Sequence, residues 1–382
     1  MHRTRLLYVI TKLELGGAQK QLLSLIDILD KERFDIFLFT GWDGALLEDA
    51  LRINGIRINR SLLLDRPINP LRDFLAFIEI YLFIKRNRIQ IVHTHSSKAG
   101  IIGRLAAGLA KVKIIVHTVH GWSFNDYQSK IKRKFFIWLE KLSANFTDKI
   151  IVVSNCDRNK GLKNCIGKPE KYQIIRYGID YEEFGIKDNL IRKELGIDKD
   201  DLLVGMVSCF KPQKSPQDFI KLAFLVHQSI PKVKFLLVGD GALRVSIEKS
   251  IRRLNLKQVI ILTGWRRDIF RILSSLDVFV LTSLWEGLPI SALEAMAASV
   301  PVVVTDTGGI SEVIRDGETG FLVSPHDSEN LLQKLLILLK DKELRVRMGE
   351  KAKESLNSNF RIRNTAANTQ DIYKDLIQSK LK

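Results

Sequence analysis

Two carboxylates eight residues apart, Glu286 and Glu294, stand in the stretch of this chain best suited to hold a ligand. Residues 278–281 form an apolar run rich in β-branched and aromatic side chains, which reads as a buried strand. Gly287 and Pro289 then interrupt the chain, and 290–298 carries helix formers (Ala, Leu, Glu, Met). Pro289 suits a first helical position, where its missing N–H has no intrahelical partner to lose. Glu286 thus falls on the turn at a strand's carboxyl end, and Glu294 about one turn into the helix. The N–H groups at that helix start are free donors on a positive dipole end, suited to phosphate oxygens or sugar hydroxyls. The pattern repeats at once, with a strand over 301–305, a turn at 306–309 containing Gly308 and Gly309, and a short helix over 310–315. Two carboxylates and two amide-rich turns along one sheet edge make a binding site.

A second set of candidates lies near the start. A strand at 5–10 leads through Gly16 and Gly17 into a helix with Leu22, Leu25, Ile26 and Leu29 at helical spacing. A glycine pair between strand and helix either admits a phosphate or sugar close to the backbone or simply makes a tight turn. Further strands fall at 34–40, 55–58, 89–94, 113–118 and 149–153, separated by helical patterns. This alternation implies a parallel, doubly wound sheet, whose ligands gather outside the strands' carboxyl ends. His93, His95, Lys98, His117 and His120 all fall there. The βα alternation restarts after a charge-rich linker at 181–201, with strands at 202–208, 234–238, 259–263, 278–281 and 301–305. Helical periodicity covers 328–340, 342–356 and 363–381.

The string Glu286-Gly-Leu-Pro-Ile-Ser-Ala-Leu-Glu294-Ala-Met-Ala resembles the signature of family-4 glycosyltransferases, retaining enzymes of the GT-B fold. The likeness continues through Pro301-Val-Val-Val-Thr-Asp306-Thr-Gly308-Gly309 and Glu312-Val-Ile to Gly317-x-Thr-Gly320-Phe-Leu-Val. It covers nearly the whole chain and is strongest over 202–325. The implied fold is α/β, with two doubly wound Rossmann-like domains facing across a cleft. Residues 1–180 would form an acceptor-binding domain and 181–362 a donor-binding domain. A helix at 363–382 would pack back on the first.

The resemblance also distributes roles. Glu286 would orient the donor sugar hydroxyls with the Gly287 and Leu288 amides, and Glu294 would bind the ribose. Lys214 matches the lysine that meets the donor diphosphate, where positive charge lowers the barrier to its departure. The family arginine five residues earlier is Cys209 here, and a thiol makes no forked phosphate contact. Lys211 or Arg244 would supply the second cation, although Lys211 reads equally well as an exposed loop lysine. Gly264-Trp265-Arg266 fits the loop near the base. Thr118-Val-His120-Gly121 matches the segment whose imidazole approaches the donor sugar, making His120 the active-site histidine, while His93 and His117 read as structural. His95 and Lys98 are expected as acceptor-side or phosphate contacts. Tyr177-Gly178-Ile179-Asp180 resembles the inter-domain hinge, with tyrosine where the family usually has asparagine.

Composition sets the remaining bounds. At 382 residues, 46% hydrophobic and 27% charged, the chain suits two globular domains and argues against disorder. The resemblance implies that no metal or cofactor is required, and Asp198-x-Asp200 lies in the charged linker and reads as solvated. Three cysteines without metal-ligand spacing, no secretory leader and no apolar run of spanning length point to the cytosol. The formal charge of +17 is uneven: residues 1–180 hold 30 Lys/Arg against 17 Asp/Glu, and 181–382 hold 30 against 26. No nucleic-acid module accompanies that excess, so an anionic membrane surface or lipid phosphate is the expected partner. Residues 70–88 and 130–146 combine aromatics with basic residues, and either lie in a lipid interface or pack on the sheet.

The expected activity is therefore transfer of a hexose from a UDP- or GDP-sugar to a growing polyprenyl-diphosphate-linked glycan. The enzyme would work peripherally at the inner face of the cell membrane, in capsule or lipopolysaccharide synthesis. A GT-B sugar phosphorylase or nucleotide-sugar epimerase, and a non-catalytic sugar-nucleotide-binding protein, fit the same residues.

Overall fold

The computed structural model describes residues 3–181, 184 and 190–381. The chain divides into two compact units, Met1–Gly178 with Ile362–Lys382, and Ile179–Arg361. The linker expected at 181–201 falls partly outside the described residues; its described part includes a short helix, Leu190–Glu194.

In the first unit seven strands form one parallel sheet: β1 (Thr4–Val9), β2 (Phe34–Gly41), β3 (Ile56–Ser61), β4 (Ile91–His95), β5 (Ile114–Val119), β6 (Lys149–Val152) and β7 (Tyr172–Ile174). Their order is β3-β2-β1-β4-β5-β6-β7. Successive residues of β1 point to opposite faces. Leu6 and Tyr8 join a core with Ile36, Leu38, Ile91 and Val116, while Leu7 and Val9 join another with Phe37, Phe39, Val92 and Ile115. Burial on both faces explains why these strands read as continuous apolar runs.

The Leu6 face is closed by the helices Gly17–Ile28 and Ile362–Lys380, the latter contributing Ala366, Ile372, Tyr373 and Leu376. Where this last helix begins, Gly178 passes so close that a Cβ on it would lie 2.2 Å from the Ile362 Cα. Only glycine allows that approach. On the opposite face the helices Pro70–Arg86 and Ser97–Leu109 pack, and Lys130–Phe146 lies beside the second of them. A fully buried ion pair, Arg104 Nη2 to Glu140 Oε2 at 2.6 Å, joins those last two helices.

In the second unit six strands form another parallel sheet: β8 (Leu202–Val207), β9 (Val233–Val238), β10 (Ile260–Gly264), β11 (Val278–Leu281), β12 (Val302–Thr305) and β13 (Phe321–Val323). Their order is β10-β9-β8-β11-β12-β13. Each sheet reverses its winding once, between β1 and β4 and between β8 and β11. These are the topological switch points outside which ligands of such sheets bind.

Three local expectations need correction. The edge strands β7 and β13 are three residues long, too short to leave a periodic signal. The helix expected at 310–315 is a single 3₁₀ turn, Ile310–Glu312. The Arg315 N–H turns to the Thr319 hydroxyl at 2.8 Å, and the chain bends towards β13. Pro289 is the N-cap of the helix Ile290–Ala297 rather than its first residue, with extended φ and ψ of −75° and 106°.

Candidate active site

The loops after β8 and β11 meet beside the second switch point. The Leu284 N–H donates to the Gln213 carbonyl at 2.7 Å. The Thr282 hydroxyl lies 3.1 Å and 2.9 Å from the carbonyls of Lys214 and Ser215. This stitching brings together two side chains 72 residues apart: the Lys214 ammonium pairs with the Glu286 carboxylate, their side chains 18% and 8% exposed. Ser283 Oγ donates to the same Oε1 at 2.6 Å, and Gln213 Nε2 stands 3.5 Å from Oε2. Oε1 is thus taken twice while Oε2 has one long contact, which leaves Oε2 the oxygen with capacity to accept from a ligand hydroxyl.

A second turn supports the carboxylate from behind. Gly309 N–H donates to the Gly287 carbonyl at 2.7 Å. Gly308 has φ +64°, and a Cβ there would lie 2.3 Å from the Glu286 carbonyl oxygen. Both requirements, left-handed φ and bare backbone, make glycine necessary. The side chain of Leu288 is buried in the core, so only its backbone can face a ligand. No side chain caps the helix Ile290–Ala297, whose first turn keeps donors for an anion, and Glu294 is half-buried on it.

Two other candidate cations of this unit, Arg244 and Arg266, are held by carboxylates. Arg244 pairs with Glu248 at 2.6 Å and Asp240 at 3.5 Å, both on or beside its own helix. Arg266 is bound by Asp268 at 2.7 Å and Glu194 at 2.7 Å, and hydrogen bonds to these carboxylates raise its pKa further. It ties the loop after β10 to the helix Leu190–Glu194, so its guanidinium is not open to a nucleotide in this arrangement. Lys211 is half-buried, its N–H bonded to the Cys209 carbonyl at 2.9 Å, and the Cys209 thiol is half-buried too. Asp198 and Asp200 are exposed beside a turn before β8.

In the first unit the carboxyl ends of β4 and β5 hold a different kind of constellation. His95 Nδ1 lies 2.9 Å from His120 Nε2, and His120 Nδ1 lies 2.8 Å from the Tyr177 hydroxyl. Behind them His93 bonds to Thr118 Oγ1 at 2.7 Å and to the Tyr373 hydroxyl, which meets the Tyr8 hydroxyl at 2.9 Å. Desolvation pushes His120 down to about 4 and His93, also opposed by the charge His120 would carry, to about 3. Burial likewise lowers His95 and His117 well below the usual imidazole range. All four rings are neutral at pH 7.

His93 and His117 are buried inside strands and bonded to Thr118 and Thr94, as structural histidines should be. His95 and Lys98 sit differently from the acceptor-side role read from the sequence. His95 is 2% exposed and paired with His120. The Lys98 ammonium is held by Asp73 at 2.6 Å and by the Pro67 carbonyl, fastening the starts of two helices. Gly16 is the uncapped N-cap of the helix Gly17–Ile28, at φ −151°, and a Cβ there would meet Gln19 Oε1 at 2.6 Å. That oxygen is the tip of a flexible side chain, so neither φ nor backbone crowding at Gly16 demands glycine. Gln213, Ser283 and Tyr8 escaped sequence reading. The first two flank motif residues, and a polar side chain beside each motif charge was the available signal.

Two parallel, doubly wound sheets, each with chemistry at its switch point, define the GT-B class of glycosyltransferase. Residues 15–183 match the model of Glycosyltransferase Family 4, and 187–355 that of Glycosyl transferases group 1. An Escherichia coli UDP-Gal:α-D-GlcNAc-diphosphoundecaprenol α-1,3-galactosyltransferase is 34% identical over 375 residues, 96% of this chain and 95% of the relative. A Campylobacter jejuni N,N′-diacetylbacillosaminyl-diphospho-undecaprenol α-1,3-N-acetylgalactosaminyltransferase is 30% identical, with 75% of this chain and 77% of the relative covered. Among solved structures, Anabaena HepE in complex with UDP and glucose superposes with a TM-score of 0.84 at 20% identity, covering 98% of this chain and 100% of that one. The chain belongs to glycosyltransferase family 4, and it is an enzyme of polysaccharide synthesis.

Proposed function

We propose that this enzyme moves a hexose from a UDP-sugar, with retention, onto a polyprenyl-diphosphate-linked glycan. The observation that carries the reading is the Lys214–Glu286 pair at the switch point of the second sheet. A sugar–diphosphate donor presents hydroxyls and anionic oxygens together, and this pair offers an acceptor oxygen and an ammonium within one bond of each other. The E. coli relative is named for UDP-galactose and a diphosphoundecaprenol acceptor, which supports both substrate classes.

In the reaction the anomeric C–O bond to the diphosphate breaks and its electron pair leaves with the nucleotide. The acceptor oxygen bonds to the anomeric carbon on the same face, and its proton passes to the departing phosphate. Lys214 stabilises the growing negative charge without metal. Glu286 Oε2 orients the sugar, the uncapped helix start after Pro289 receives anionic oxygens, and Glu294 takes the ribose. His120, just after β5, is the active-site histidine of this reading.

The acceptor reading also calls for contact with a lipid surface, and exposed side chains of the first unit support it. On the helix Lys130–Phe146, Ile131, Phe135 and Trp138 are 84%, 52% and 56% exposed, among exposed Lys130, Lys132, Lys134 and Lys141. On Pro70–Arg86, Leu71, Phe74, Leu75 and Leu82 are exposed. Both pack in the helical layer described above. No described helix is long and apolar enough to cross a membrane. Apolar side chains ringed by lysines suit peripheral contact with anionic lipid.

Purified enzyme should release nucleotide slowly from one of a panel of UDP-, GDP- and ADP-sugars in the presence of chelator, and Glu286→Ala should abolish it. Added polyprenyl-diphosphate acceptor should accelerate release and give an α-linked product. An inverted linkage, or silence with every donor plus acceptor, would sink the reading. Vesicles with anionic lipid should bind the protein at low salt, and Phe135→Ser with Trp138→Ser should weaken that binding without changing turnover on a water-soluble acceptor.

A further inference from the structure

Neither ring nitrogen of His120 is open. Nε2 faces His95 Nδ1 at 2.9 Å and Nδ1 faces the Tyr177 hydroxyl at 2.8 Å. The Tyr177 ring also stacks on the imidazole, centroids 5.6 Å apart at an interplanar angle of 16°, and the His95 ring stacks on the same imidazole at 5.2 Å and 29°. Tyr177 is itself held on both sides. The Arg176 carbonyl accepts from Thr365 Oγ1 at 3.0 Å, and the Gly178 N–H donates to Gln21 Oε1 at 3.0 Å. Its hydroxyl is thus placed by two helices of the first unit, from opposite ends of that unit's sequence.

Because the two imidazoles are neutral, each carries one N–H and one lone pair, and the row Tyr177–His120–His95 must run in a single direction. If Tyr177 donated to Nδ1, His120 would donate to His95, leaving a buried N–H on His95 Nε2. That atom has no partner among the described residues. In the reverse direction His95 donates to His120 Nε2, His120 Nδ1–H donates to Tyr177, and only a lone pair is bare at His95. An orphaned buried N–H is the rarer and costlier defect. The reverse direction therefore wins.

We propose that Tyr177 is a positioning residue for His120: its hydroxyl accepts the Nδ1 proton, fixing the imidazole as the Nδ1–H tautomer, and its ring fixes the plane. The nitrogen that faces His95 is then an acceptor, and what the histidine offers a substrate is a ring held still rather than a proton to give away. The role of His120 in transfer rests on the reading above; the tautomer does not.

The test uses the full-length enzyme, ¹⁵N-labelled at histidine, beside Tyr177→Phe, which keeps the ring stack, and Tyr177→Leu, which loses both. Long-range ¹H–¹⁵N spectra, with the His120 signals assigned by their loss in His120→Gln, should show a protonated Nδ1 in the native enzyme. In Tyr177→Phe the Nδ1–H loses its acceptor, so its ¹H and ¹⁵N signals should leave their hydrogen-bonded positions, and kcat should fall roughly five- to tenfold, the worth of one neutral hydrogen bond, with donor KM unchanged. Tyr177→Leu should fall further. A protonated Nε2 in the native enzyme, or Nδ1–H signals unchanged in Tyr177→Phe, overturns the proposal. If instead His120→Gln is fully active while the signals change as stated, the positioning stands and the catalytic reading of His120 fails.

Discussion

The two sheets share a topology and differ in what they hold at the switch point. The second presents opposite charges, Lys214 and Glu286, at a partly solvated edge with Ser283 and Gln213 donating to the carboxylate. The first presents neutral rings, His95, His120 and Tyr177, in a row from which burial excludes charge. A common frame thus supports two electrostatic regimes. One edge can receive charge that moves during the reaction; the other resists acquiring any. The difference is set by loop residues and by what packs behind them, since the backbone arrangement is the same.

Breaking the charged edge should have the largest effect. Lys214→Met removes the cation from the departing diphosphate, and kcat should fall by about 10²- to 10³-fold, as when one preorganised donor is lost. Glu286→Gln should fall by a similar amount, and the double substitution by far less than the product of the two, because the side chains act as one unit. A multiplicative double variant, read from single-turnover rates, would show that the pair is not coupled.

Acid should act on the neutral edge in preference to the charged one. A histidine whose folded pKa is depressed binds fewer protons folded than unfolded, so stability falls as pH drops below about 6.5 and stops falling only below the folded value. For His93, lowered to about 3 by burial and by His120, the window runs from about 6.5 down to that value. Between pH 7 and 5 this one ring should cost about 2 kcal/mol. Urea midpoints across that range should drop, and His93→Gln should flatten the profile; an unchanged slope would mean that His93 does not titrate as its burial requires.

The smallest expected effect sharpens the same contrast. Tyr373→Phe removes the hydroxyl bonded to Tyr8 and His93, and should cost about 1–3 kcal/mol of stability. Donor KM should stay unchanged, because nothing at the charged edge is touched.

How much of this was legible in the sequence follows from how local each feature is. Strands buried on both faces, such as β11, announced themselves as apolar runs bounded by turn residues. Glu286 and Lys214 were visible because each sits within a recurring string. The edge strands were not, since three residues carry no period. The engagement of Lys98 and Arg266 was hidden because a charge in a sequence does not show its partner: Asp73 and Glu194 lie on helices whose placement only folding decides, whereas Glu248, four residues after Arg244 on the same helix, was a legible partner. The row of rings was hidden for the same reason, with His95, His120 and Tyr177 brought together from three separate strand ends.

The last helix covers one face of the first sheet with residues made after the whole second unit. Tyr373, fully buried, reaches Tyr8 and His93, so the ribosome delivers the first 178 residues without the side chain that satisfies them. At bacterial or eukaryotic elongation rates the intervening segment takes roughly 10–40 s to emerge. Until then Tyr8 and His93 lack the hydroxyl they bond to, and their face of the sheet has the helix Gly17–Ile28 but not the last helix to cover it. The first unit can therefore be completed only after the whole second unit has been synthesised.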